Sequence, residues 1–256
     1  MSASPEIRVL ASADQLFRAA ADEFVSQATD AVSRSGRFTV ALSGGSTPRR
    51  LYQLLAESYA HSIPWGQVFL FWGDERHVPP DHPDSNYRMA SEAMLSKVPV
   101  PMENVFRIHA EENATRAAAD YEQTLKNFFQ LRPGEAPRFD LILLGMGSDG
   151  HTASLFPDTA VLQEQSRLVV AHWIDKLQTY RITLTLPVLN NSACVMFLVT
   201  GGDKADVLRE VLETDSSGAH FPSKLIQPKN GRLLWLIDRA AAGALSSNAQ
   251  GNSPAS

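Results

Sequence analysis

The chain has 256 residues, 44% of them hydrophobic, which is enough to bury one large core or two small ones and excludes disordered and fibrous classes. A formal charge of -5 with both signs scattered along the chain offers neither a basic face for nucleic acid nor a polybasic patch for a membrane, so an anionic ligand has to be gripped by local positive groups. The one cysteine, Cys194, lies in the apolar run ACVMFLV and reads as a buried strand residue, with no disulfide framework possible.

The opening MSASPEIRVL lacks the charged-then-apolar order of a secretory signal, and no apolar run approaches the ~20 residues that span a bilayer, so a cytoplasmic location is expected. From there, short runs rich in β-branched and aromatic residues alternate with longer stretches of helical period, the pattern of strand–helix–strand units. IRVLA (7–11) is the first expected strand, followed by a helix over 13–34. RFTVAL (37–42) is the second, and it runs straight into Ser43, Gly44, Gly45, Ser46 and Thr47 before Pro48 opens a helix expected over 48–59. A glycine pair at such a turn lets bare backbone N–H groups converge on an anion at the positive end of a helix, which makes this loop a candidate phosphate cradle. It is not the P-loop of nucleotide hydrolases, since the Gly-Lys-Ser/Thr element is missing; the plainer alternative is a tight turn that needs glycine dihedrals.

VFLFW (68–72) is the third strand and ends in Gly73-Asp74-Glu75-Arg76-His77, ahead of a helix expected over 84–96. Solvated loop charge is the ordinary explanation for such a run, but these charges emerge directly from an apolar strand, so Arg76 is a candidate partner for an anion or a developing oxyanion. A helix over 112–129 leads to FDLILL (139–144), which ends in Gly145-Met146-Gly147-Ser148-Asp149-Gly150-His151, with a short helix expected over 152–156. The loop contains a GxGxxG match, yet it lies mid-chain and no acidic residue ends a second strand about twenty residues on, so a dinucleotide site is not indicated. Asp149 and His151 stand two apart across a glycine. The carboxylate can accept one ring N–H and fix the tautomer, leaving the other nitrogen free to take a proton from water; a helix starting at Thr152 would oppose formation of the imidazolium. A histidine that merely caps a helix is the bland reading. The other six histidines (His61, His77, His82, His109, His172, His220) include no pair at ligand spacing such as HExxH, so a structural or catalytic zinc site is not indicated.

Strands are expected at RLVVAHW (167–173), at RITLT (181–185), which Arg181 opens, and at CVMFLVT (194–200). The last of these meets Gly201-Gly202-Asp203-Lys204 and a helix over 204–213, again a strand–glycine–helix junction, and Arg181 and Lys204 can each pair with phosphate. RLLWLI (232–237) and a helix over 238–246 close the core, and 247–256 is a small, polar stretch expected to be a disordered tail. Several strands are apolar on both faces, which fits a mostly parallel, Rossmann-like open α/β sheet with helices on both faces, in a single domain over 1–246. Ligands of such sheets bind outside the carboxyl ends of the strands. Ser-His-Asp nucleophilic catalysis is the weaker option, because no GxSxG elbow occurs.

Taken together, LSGGSTPRRLY, FWGDERHVPPDHPDSNYRM, DLILLGMGSDGHTASLFP, RITLT and VTGGDKADVL resemble the successive motifs of the 6-phosphogluconolactonase family, over almost the whole chain. The resemblance implies hydrolysis of 6-phospho-D-glucono-1,5-lactone to 6-phospho-D-gluconate in the oxidative pentose phosphate pathway, without metal or organic cofactor. It implies His151 as the base oriented by Asp149, Arg76 at the oxyanion or ring hydroxyls, the 43–47 loop with Arg181 and Lys204 on the phosphate, and Asn86 along the sugar pocket. The same superfamily contains glucosamine-6-phosphate deaminase/isomerase. There the loop continues into Ile-Ala-Phe-Asn-Glu-Pro, whose glutamate takes part in ring opening, whereas here Phe156 stands at the glutamate's place and Gly73-Asp74-Glu75-Arg76 replaces an Asp-Asp-Glu run. A non-catalytic sugar-phosphate sensor is the rival of a different class; such proteins carry a DNA-binding helix pair, for which the residues before the first strand leave no room. A monomer and a small homo-oligomer both remain open.

Overall fold

The computed structural model describes residues 4–214 and 221–246; the expected tail and His220 lie outside the described residues. Six strands form an all-parallel sheet: β1 (Glu6–Leu10), β2 (Phe38–Leu42), β3 (Val68–Trp72), β5 (Leu141–Leu144), β8 (Cys194–Val199) and β9 (Arg232–Asp238). The order is β1-β9-β8-β5-β2-β3. Every residue of the middle strands β2, β5 and β8 is buried, as expected where helices cover a parallel sheet.

The helices α1 (Ala13–Ser35), α2 (Ser46–Ser58), α3 (Asn86–Ala93), α4 (Ala114–Phe129), α5 (Leu186–Leu189) and α6 (Ala205–Glu213) surround the strands. On α1 the buried residues Leu16, Ala20, Phe24, Ala28 and Ala31 recur at three- and four-residue spacing, one stripe laid on β9 and β2. Ser12 caps its start by accepting from the Gln15 N–H, and Gly36, at φ 74°, closes its end in the left-handed region. Two tyrosines on helices fasten strand ends. The Tyr52 hydroxyl of α2 accepts from the Ser43 N–H and donates to the Ser43 carbonyl at 3.0 and 2.9 Å, and Tyr121 of α4 does the same for Trp72 at 2.8 and 3.1 Å. Burial pushes both phenols up, so each stays neutral and serves as donor and acceptor at once.

From β2 the chain moves outward to β3 at the sheet edge, and the next strand of this sheet, β5, lies on the opposite side of β2. The strand order reverses between β2 and β5, and the crevice at their carboxyl ends is where open α/β sheets bind ligands.

Three expectations from sequence are corrected. The residues 74–76, read as a loop, form β4 (Asp74–Arg76), and the runs at 167–173 and 181–185 form β6 (Val169–Ile174) and β7 (Thr179–Leu184) of a separate antiparallel sheet ordered β4-β7-β6. A three-residue strand carrying Asp-Glu-Arg has no hydrophobic period to read, and only its pairing with β7 makes it regular. The helix expected over 152–156 is absent. Thr152–Leu155 instead close a tight turn on a Leu155 N–H to Thr152 carbonyl bond of 2.9 Å, with Ala153 at φ 47°. The helix expected over 238–246 shrinks to a 3-10 turn at Ala241–Ala244.

Glu122 of α4 fastens the second sheet to the rest. Its buried carboxylate accepts from Lys126 Nζ at 2.6 Å, Arg167 Nε at 2.9 Å and the Leu168 and Val169 N–H groups at 2.9 and 3.3 Å. Burial alone raises this carboxyl, but those four donors outweigh it and hold it at about 2. Because the folded value lies below the unfolded one of ~4.3, the stabilisation is complete above that pH and disappears as pH falls towards 2. Glu122→Gln is expected to lower the unfolding free energy at neutral pH by roughly 1–3 kcal/mol and to flatten the loss of Tm between pH 5 and 2 in thermal melts. An unchanged acid dependence would remove Glu122 from this role.

Candidate active site

A cavity of about 220 Å³ opens at the β2/β5 crevice. Its wall is made by Ser43–Pro48 after β2, Gly145–Gly147 and His151–Ala153 after β5, Leu198–Thr200 at the end of β8 and Lys204 beyond it, and Asp74 and Arg76 of β4. The fold thus brings eight sequence-predicted residues onto one wall: Ser43, Gly44, Gly45, Ser46, Thr47, Arg76, His151 and Lys204.

The glycine loop is shaped to admit an anion. Gly45 stands at φ 103°, a conformation side chains disfavour, and no side chain caps the start of α2. The first turn of α2 therefore points bare N–H groups and the positive end of a helix dipole towards the cavity. The backbone of Ser43 is already engaged by Tyr52, so its N–H is not available to a ligand. The Thr47 hydroxyl is 2.9 Å from the Thr200 hydroxyl, which ties this loop to the one after β8. That second loop is pinned by Asp238 at the end of β9, whose carboxylate accepts from the Gly201 N–H at 3.2 Å and the Ala241 N–H at 2.7 Å. Lys204 projects from it with its ammonium 2.5 Å from Asp203.

Asp149 and His151 form a dyad. Asp149 Oδ1 is 2.5 Å from His151 Nδ1 and accepts from the His151 N–H at 3.2 Å, so the carboxylate keeps the proton on Nδ1 and leaves Nε2 as the ring's lone-pair acceptor. Burial pushes the Asp149 carboxyl up, but the Lys176 ammonium and the His151 ring outweigh it and hold the carboxyl well below the usual carboxylate range. Phe156 stacks on the imidazole at 4.5 Å between centroids and 28° between planes. With no helix starting at Thr152, a helix dipole plays no part at His151; the carboxylate and the Phe156 face hold the ring. Space decides the rest: a Cβ on Gly147 would lie 2.1 Å from His151 Nδ1, so only glycine lets the imidazole occupy this place. From the other side Ser223 donates to the Gly150 carbonyl at 2.8 Å, bracing the loop.

Arg76 donates through Nη1 to the Asp84 carbonyl at 2.7 Å, which fixes the guanidinium while Nε and Nη2 have no partner among the described residues. Arg181 lies directly across the β4–β7 pairing from Arg76, off the cavity wall and half-buried. Burial and the neighbouring Arg76 push its guanidinium below its ordinary value, against the pull of Asp74, Glu75 and Asp84. Asn86 is buried behind the glycine loop, not along the cavity. Its side chain donates to the Asp74 carbonyl at 2.9 Å and sits where a Cβ on Gly44 would be, so Gly44 is required for this close approach. Asp74 itself, which the sequence did not single out, is a buried carboxylate on the cavity wall that accepts from the Ser154 hydroxyl at 2.6 Å. Around it Arg76, Lys204 and the α2 N-terminus concentrate positive potential locally, in a chain whose net charge is negative.

The family model for glucosamine-6-phosphate isomerases/6-phosphogluconolactonase matches residues 11–235, a span that contains both flanking loops and the dyad. The chain belongs to this family. A 6-phosphogluconolactonase of Nostoc sp. is 44% identical over 241 residues, covering 94% of this chain and 98% of that protein, and one of Synechocystis sp. is 41% identical, covering 93% and 97%. Among solved structures, the 6-phosphogluconolactonase from Trypanosoma cruzi superposes with a TM-score of 0.85 at 30% identity, covering 96% of this chain and 98% of that one. Within the isomerase/lactonase family, position 156 carries an apolar ring packed on His151 in this chain, so no acid stands there beside the base. Among the described residues no group of His, Cys, Asp and Glu is placed to hold a metal ion, and no helix is long and apolar enough to cross a membrane.

Proposed function

We propose that the protein is a 6-phosphogluconolactonase whose dyad activates water at the β2/β5 crevice. One observation carries this reading: His151, held from behind by Asp149, and an uncapped helix N-terminus backed by Lys204 share the wall of one small cavity, so a phosphate and a reacting carbonyl can be held together. A δ-lactone is an activated ester and asks little beyond position, one deprotonated water and a stabilised oxyanion. Loop 43–47 and Lys204 take the phosphate, while His151 Nε2 removes a proton from water as its oxygen bonds to C1. The carbonyl oxygen becomes an oxyanion facing the free Arg76 N–H groups. Collapse of that intermediate breaks the bond between C1 and the ring oxygen, which receives the proton from His151, and the product carries a carboxylic acid that ionises. Arg181 adds positive charge behind Arg76, and Asn86 supports the site through Asp74 and Gly44.

The purified protein is expected to hydrolyse 6-phosphogluconolactone well above the spontaneous rate and to release no ammonia from glucosamine 6-phosphate; ammonia release with no lactonase activity would assign it to the deaminases.

Gly147→Ala is expected to displace the imidazole and lower kcat by roughly tenfold, since small misplacements of a reacting group are costly. A full-speed Gly147→Ala enzyme would mean that His151 reacts from another position.

A further inference from the structure

We propose that Lys176, at the tip of the β6–β7 hairpin, is a positioning residue for the dyad: its ammonium holds the Asp149 oxygen that His151 does not use and so aims the carboxylate at the imidazole. This rests on the lactonase reading of the site. Lys176 belongs to a 3-10 turn at Asp175–Leu177 that joins the two strands, 27 residues from Asp149 in sequence. Its Nζ donates to Asp149 Oδ2, while Oδ1 takes His151 Nδ1. The same ammonium lies 4.6 Å over the ring of Phe156, the residue that stacks on His151. One side chain therefore touches both groups that hold the base.

The need for such a hold follows from the loop. Asp149 sits between Gly147 and Gly150, the latter at φ 73°, and among the described residues its carboxylate accepts hydrogen bonds from His151 and Lys176 alone. The two bonds to Oδ1, from the His151 ring and the His151 backbone N–H, both come from the residue to be oriented and leave Oδ2 unheld; a bond to Oδ2 from a separate element gives the carboxylate a fixed frame. The hairpin supplies that frame, since β7 is paired to β4 and His172 Nε2 is 2.7 Å from the Ser154 carbonyl beside the dyad loop. Among the described residues the charged groups facing Asp149 are Lys176 and His151, and the segment packed behind its loop contributes Phe221 and Ser223, neither of which titrates in the working range.

The test uses Lys176→Met, which keeps the length of the side chain and removes its charge, with Lys176→Arg and His151→Ala alongside and the buffer rate subtracted. Lys176→Met is expected to lower kcat about tenfold with KM changed less than about twofold, because the ammonium acts through the base and not on the phosphate. The acid limb of its pH–rate profile is expected to move to higher pH, since removing a positive charge beside the dyad makes protonation of the pair easier. Lys176→Arg is expected to restore most of the rate and the position of the limb. An unshifted limb in Lys176→Met overturns the proposal whether kcat is unchanged or falls together with Tm, the latter marking a merely structural turn. Full activity in His151→Ala would instead overturn the dyad reading itself, and so the two failures are told apart.

Discussion

His151→Ala is expected to lower kcat by roughly 10²–10⁴-fold while leaving the affinity for 6-phosphogluconate within a few-fold of the parent, the range usual for loss of a general base. The geometry separates these two readouts. His151 is held by Asp149 and Phe156 on the β5 side of the cavity, whereas the phosphate groups proposed here lie after β2 and β8. Truncating the ring leaves α2, Lys204 and Arg76 in place. Because the lactone also opens unaided, the rate has to be read above the buffer background, best at a pH where that background is slow. Near-parental turnover in the variant would take His151 out of the chemistry.

Lys204→Ala is expected to raise KM for the phosphorylated lactone about 10- to 100-fold, the equivalent of one charge-assisted contact of roughly 1.5–3 kcal/mol, with kcat falling far less. Lys204 lines the cavity opposite the uncapped start of α2, and the Thr47–Thr200 contact joins the loops that carry them, so a phosphate between the two meets both. Glucono-δ-lactone, which lacks the phosphate, is expected to be a poor substrate of the parent and to respond little to the substitution. That contrast isolates the handle, since a general loss of stability would weaken turnover of both lactones alike. Arg181→Ala is expected to give a smaller rise, because Arg181 lies off the wall, one strand over from Arg76. Equal losses on both lactones would take Lys204 off the phosphate and leave it the partner of Asp203 alone.

Much of this arrangement was legible in the chain because parallel α/β sheets leave strong local signals. Runs rich in apolar and β-branched residues marked β2, β5 and β8, and the glycine turns behind them marked the loops at 43–47, 145–151 and 201–204. What escaped depends on contacts between distant segments. The strand β4 exists because Asp74–Arg76 pairs with β7, and nothing in three charged residues announces that partner. Asp149 and His151 were visible as neighbours two residues apart, whereas Lys176 meets Asp149 only once the hairpin folds over the loop. Asn86 looked like a pocket residue but is consumed as scaffold behind Gly44, a close approach that only three-dimensional packing reveals. The expected helix after His151 failed for a local reason: Ala153 adopts a left-handed conformation and Thr152 turns its hydroxyl to the Gly145 carbonyl at 2.8 Å, so the chain folds back into a turn.

The central claim is that one ligand spans the crevice, phosphate on the 43–47 loop and Lys204, C1 at the dyad. A crystal structure with 6-phosphogluconate tests it most directly. The account predicts the C1 carboxylate within ~3 Å of His151 Nε2 or one water away, with the phosphate on the α2 N-terminus. A phosphate seated at His151, or a sugar acid bound outside this crevice, would contradict it.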